Sequence, residues 1–140
     1  MCIRDRLIHY LVKAAGYGSN LLLNVGPMPN GKIQEEHIES LKKIGSWVEV
    51  NGETIYKTKR GPIDPTDEIA STQNGKTVYI HALNSDKLNY FIDGFDLNFK
   101  TLTYLNSNKK VSYKKTKKGL LVFLNQNEIN PIDTILKMEL

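Results

Sequence analysis

One cysteine, Cys2, stands among 140 residues. That excludes a disulfide framework, which needs paired thiols, and a four-cysteine zinc site. The three histidines, His9, His37 and His81, lie too far apart for HxxH or HExxH ligand spacing, so no metal centre is expected. No run of about 18 apolar residues is present, and no membrane span is expected. The GxSxG elbow and the GxxxxGKS/T loop are missing. Gly16-Tyr17-Gly18 lacks a third glycine and precedes an apolar run rather than a helix, so no nucleotide cofactor is expected either. Length is also short: a complete (β/α) barrel takes roughly 250 residues, so any barrel here has to be partial.

What is present suits one ordinary globular domain or two small ones, with 40% hydrophobic and 24% charged residues. The net charge is +4. Positive charge concentrates only in Lys109–Lys118, which holds six lysines and no acid. Without an aromatic-rich motif this run reads as a solvated hairpin, and no nucleic-acid partner is expected. Met1–Arg6 (MCIRDR) is polar and leads into an amphipathic stretch, unlike a signal peptide. It resembles a translated sequencing-adapter remnant common in metagenomic assemblies, so residues 1–6 carry no functional weight.

The first half reads helix, strand, loop, helix. Leu7, Ile8, Leu11, Val12 and Ala15 share one stripe of a helix ending at Gly16 or Gly18, with His9 and Lys13 off that stripe. Asn20–Val25 (NLLLNV) is continuously apolar at its centre, as a parallel strand covered on both faces requires. The prolines and glycines of Gly26–Lys32 (GPMPNGK) make a loop. From Gln34 to Val50 the helical period returns through Ile38, Leu41, Ile44 and Val48, and Glu35 and Glu36 complement the positive end of the helix dipole.

The second half changes period. Lys59–Glu68 (KRGPIDPTDE) has the composition of a connection, and the domain boundary is placed there, with residues 59–73 as linker. Strand periodicity follows at 77–83, 88–92, 101–105, 111–115, 120–124 and 134–140, with Asn74-Gly75, Asp93-Gly94, Ser107-Asn108 and Lys118-Gly119 between. Short strands at this spacing predict an antiparallel sandwich over 74–140.

Candidate chemistry is sparse. Asn24 is polar at the C-terminal end of an apolar strand, where α/β architectures place their ligand face; its other reading is a hydrogen-bonding role in the Gly26–Gly31 turns. Trp47 and Tyr56 have the faces to stack on a sugar, although Trp47 falls among apolar helix positions that suit packing. No acid earns promotion to a catalytic role.

The string NLLLNVGPMPNGKI, then a helix, then SWVEVNGETIYKTKRGP, resembles the end of the catalytic domain of the family 29 glycoside hydrolases, the α-L-fucosidases. Asn20–Pro27, Gly31, Ile33, Trp47 and Asn51–Tyr56 carry the likeness. TVYIH at 77–81, TLTYL at 101–105 and NPIDTILKMEL at 130–140 are similar to that family's C-terminal sandwich. The resemblance implies an α/β remnant over 7–58, the last helix-strand-helix of a (β/α) barrel, followed by an all-β antiparallel sandwich. It implies a retaining exo-acting enzyme with an aspartate nucleophile and a separate acid/base carboxylate, both on earlier barrel strands and therefore absent here. Catalytic residues are thus none. Asn24, Gly26 and Pro27 match the last-strand motif and would shape the pocket face, the glycine allowing a close turn and the proline stiffening it.

The resemblance further implies a fucosylated glycan as partner of the full-length enzyme, no cofactor, and a periplasmic, secreted or lysosomal location. Oligomeric state is open, and the isolated chain should be inactive. The rival reading is a noncatalytic carbohydrate-binding sandwich holding glycans through Tyr79, Tyr90 or Tyr104.

Overall fold

The computed structural model describes residues 3–140; the expectations for Met1 and Cys2 lie outside them. Helix α1 (Ile3–Gly16) and helix α2 (Glu35–Asn51) come first, and a single 3-10 turn (Gly52–Thr54) closes α2. Eight strands follow: β1 (Lys59–Arg60), β2 (Ile69–Asn74), β3 (Thr77–Ala82), β4 (Asn89–Asp93), β5 (Thr101–Tyr104), β6 (Ser112–Lys115), β7 (Gly119–Phe123) and β8 (Thr134–Glu139). They form a five-stranded sheet, β1-β2-β3-β8-β5, and a three-stranded sheet, β4-β7-β6, antiparallel at every pairing. The last strand in chain order lies inside the larger sheet, between β3 and β5.

The two sheets enclose a core of Val78, Ile80, Tyr90, Leu120, Leu136 and Met138 with their neighbours. A second core forms on the other face of the larger sheet, where Ile8, Val12 and Trp47 of the helices meet Ala70, Tyr79 and Ile135. The molecule is thus layered as helices, five strands, three strands. Being covered on both faces explains why β3 is buried at five of its six positions and why its alternating pattern does not end in water.

Three expectations change. Residues 59–73 are not a bare linker: β1 pairs with β2, and β2 pairs with β3 from Ile69↔Ala82 to Asn74↔Thr77. The buried heart of β2 is Ala70, Ser71 and Thr72, small and half polar, so no hydrophobic alternation announces it. His9 sits on the covered side of α1, 8% exposed, because its Nε2 donates to the Ile132 carbonyl at 2.7 Å. The run Asn20–Val25, expected as a buried parallel strand, pairs with nothing, and Leu22 is 84% exposed. A parallel strand needs ladder partners and helices over both faces, and the antiparallel sheets here offer neither.

Residues 3–6 form the first turn of α1, with Arg4 Nε donating to Asp5 Oδ1 at 2.8 Å.

Candidate functional site

The three pocket-face candidates sit together on the connection between α1 and α2. Pro27 and Ile33 form an isolated bridge, Met28 N–H donates to the Lys32 carbonyl at 2.7 Å, and Gly31 N–H donates to the Met28 carbonyl at 2.8 Å. This tight turn places Gly31 at φ +81°, a conformation that glycine adopts without strain. Asn24 and Gly26 are exposed just ahead of it, and a Cβ on Gly26 would meet nothing within 4 Å. The close approach expected at Gly26 is therefore not made by this chain's own atoms. Among the described residues the Asn24 side chain makes no hydrogen bond to the turn.

Beside this segment a groove of about 730 Å³ runs between the end of α1 and the exit from α2, with Leu11, Leu21, Ile55, Tyr56 and Arg60 on its walls. Glu35 and Glu36 lie outside it, exposed in the first turn of α2. Among the described residues no group of three or more histidine, cysteine or carboxylate side chains gathers at metal-binding distance.

The stretch with the densest motif content, W-x-x-x-NGETIY, does something more local than catalysis. Trp47 is buried in the second core, and Asn51 Nδ2 donates to its carbonyl at 3.1 Å. Thr72 Oγ1 of β2 donates to the Thr54 carbonyl at 2.6 Å, and the Tyr79 hydroxyl of β3 donates to Glu53 Oε2 at 2.9 Å. Burial, then the Glu53 carboxylate, pushes the Tyr79 phenol up to about 12. The motif clamps the end of α2 onto the larger sheet. The contacts of Glu53 and Thr54 were invisible in the sequence because their partners sit 26 and 18 positions away.

Tyr79, Tyr90 and Tyr104 are 5%, 4% and 5% exposed, so no glycan reaches their faces and the rival reading loses its binding residues. The Tyr90 hydroxyl donates to the Asn84 carbonyl at 3.0 Å, and the Tyr104 hydroxyl accepts from Asn125 N–H at 2.7 Å. His81 Nδ1 and Asp133 Oδ2 are 2.5 Å apart, with both side chains sealed from solvent. This pair ties β3 to the approach of β8 and is closed to any substrate. At the surface, hydrogen bonds from Lys87 and Asn84 hold the Glu68 carboxyl below its usual range, and Lys13 does the same for Asp67.

Two helices are thus clamped on an antiparallel sandwich, with an apolar segment left unpaired between them. A model of the alpha-L-fucosidase family matches residues 2–53. Bovine tissue alpha-L-fucosidase is 34% identical over 125 residues, covering 86% of this chain and 27% of that protein. Human plasma alpha-L-fucosidase is 44% identical over 54 residues, 39% of this chain and 12% of that one. The chain belongs to the α-L-fucosidases of glycoside hydrolase family 29.

The fold agrees along nearly all of the chain. Thermotoga maritima alpha-fucosidase, solved with a mechanism-based inhibitor, superposes with a TM-score of 0.84 at 26% identity, over 98% of this chain and 34% of that one. The same bacterial enzyme solved with fucose gives 0.83 over 96% of this chain. The chain therefore spans about a third of the solved structures it matches and no more than 27% of these two relatives.

Proposed function

We propose that this chain is the closing, C-terminal part of a retaining exo-α-L-fucosidase that removes terminal α-L-fucose from glycoconjugates. Residues 7–58 are the end of the catalytic barrel, and the sandwich, which begins at Lys59, packs behind it. The observation that carries this reading is a superposition along nearly all of the chain onto only 34% of an α-fucosidase. The exposed Leu21–Leu23 fits it, since these residues have the composition of a barrel strand and lack the neighbours of one.

In the complete enzyme Asn24, Gly26 and Pro27 stand at the mouth of the last strand and shape the pocket, while the nucleophile and the acid/base come from strands further upstream. The enzyme works in the periplasm, a lysosome or outside the cell. Two preparations on an aryl α-L-fucoside test this: the 140-residue chain gives no turnover, and the protein expressed from the contiguous upstream reading frame does. Turnover by the short chain alone overturns the reading.

A further inference from the structure

The outer face of the five-stranded sheet carries α1 and α2, but the outer face of the three-stranded sheet ends in solvent, where Phe91 is 49% and Phe123 38% exposed. Register decides what shares that face. Phe91 pairs with Leu121, which on its other side pairs with Lys114. In the next row Phe123 lies between Asn89 and Ser112. Side chains two apart on a strand point the same way, so Phe91, Leu121 and Phe123 form one apolar stripe edged by Asn89, Asp93, Ser112 and Lys114. Strands lie about 4.8 Å apart, which puts the backbone of Lys114 roughly 10 Å from that of Phe91.

The stripe adjoins the lysine run. Lys109 pairs with Glu128 at 3.3 Å, and the Lys115 ammonium sits 4.6 Å from the centre of the Phe99 ring. Among the described residues Lys110, Lys114, Lys117 and Lys118 enter no ion pair. Charge on an edge strand discourages pairing with a second sheet, which accounts for lysines along β6. It accounts neither for phenylalanines turned to water on the neighbouring strands nor for lysines at the hairpin turn.

We propose that this face is a docking platform for an anionic polysaccharide, with sugar C–H faces lying on Phe91 and Phe123 and sulfate or carboxylate groups meeting Lys114, Lys117 and Lys118. Apolar ring faces beside unpaired ammonium groups match a polymer whose repeating units are apolar on one side and charged at the rim. The preference for a sugar over single-stranded nucleic acid rests on the α-L-fucosidase reading, because stacking rings with lysines serve both.

Calorimetric titration of the whole chain with dextran sulfate, polygalacturonate, neutral dextran and oligothymidylate tests it. Binding to dextran sulfate alone assigns sulfate esters, and binding to polygalacturonate assigns uronates; neutral dextran does not bind. Lys114→Ser with Lys117→Ser weakens binding about tenfold and flattens its salt dependence. Phe91→Ser with Phe123→Ser weakens it roughly fivefold with the salt dependence kept, and Phe91→Tyr with Phe123→Tyr retains affinity, which separates lost stacking from lost folding. The proposal falls if neither anionic dextran nor polygalacturonate binds more tightly than neutral dextran, if oligothymidylate binds as tightly, or if the serine pair at the phenylalanines leaves affinity unchanged. None of these readings needs turnover, so they fail separately from the fucosidase assignment.

Discussion

Glu53 and Tyr79 meet across the seam between the end of α2 and the larger sheet, and the phenol held there titrates late. Its folded value of about 12 lies above the ordinary 10.0, so its contribution to stability is complete below pH 10 and is lost as pH rises through 12. Tyr79→Phe is expected to remove one late-titrating phenol from the ultraviolet tyrosinate titration and to cost about 1 kcal/mol at neutral pH. Glu68 runs the other way. Its depressed value gives a contribution present above 4.5, the ordinary carboxyl value, and lost as pH falls through the folded one. Lys87→Ala is expected to move the Glu68 carboxyl titration, followed by NMR, upward toward that ordinary value. Leu120, fully buried, and Leu22, 84% exposed, make a further contrast. In urea unfolding Leu120→Ala should cost about 2–5 kcal/mol and Leu22→Ser less than about 0.5 kcal/mol.

Among the elements, the strands bounded by Gly and Asn turns were readable from alternation. β3, β4, β5, β6, β7 and β8 each lie within a residue or so of their expected limits. β2 was not readable, because Ala70, Ser71 and Thr72 are buried by what surrounds them and not by their own hydrophobicity. His9 escaped for a related reason: a backbone carbonyl 123 positions away satisfies its ring and lets a polar side chain sit on the covered side of α1. Asn24 stood out in the sequence as a polar residue at the end of an apolar run, whereas Gly26 and Pro27 entered only through resemblance; within this chain Asn24 and Gly26 are exposed and no neighbour packs on Gly26. Gly119 tests the pairing of β4 with β7, because a Cβ there would stand 2.1 Å from the Ile92 carbonyl oxygen. Gly119→Ala should cost about 1–3 kcal/mol in thermal unfolding, with the loss centred on the smaller sheet in hydrogen exchange.

For the whole molecule, Leu21, Leu22 and Leu23 are 40%, 84% and 40% exposed in a row, a surface that soluble proteins seldom leave bare. The isolated chain should bind a hydrophobic dye and self-associate as concentration rises. Leu21→Ser, Leu22→Ser and Leu23→Ser together should suppress both in fluorescence and sedimentation measurements. The same residues carry a continuous apolar pattern and pair with nothing within this chain, so the pattern alone did not show what they pack against.

The position of β8 between β3 and β5 also bears on how the chain is made at the ribosome. β1, β2 and β3 can zip together as soon as they emerge, but β5 has only its short bridge to Lys110 and no place in the larger sheet until residues 134–139 arrive. During synthesis two open edges therefore wait for the last strand, and a nascent chain stalled short of Thr134 presents them to any extended peptide nearby.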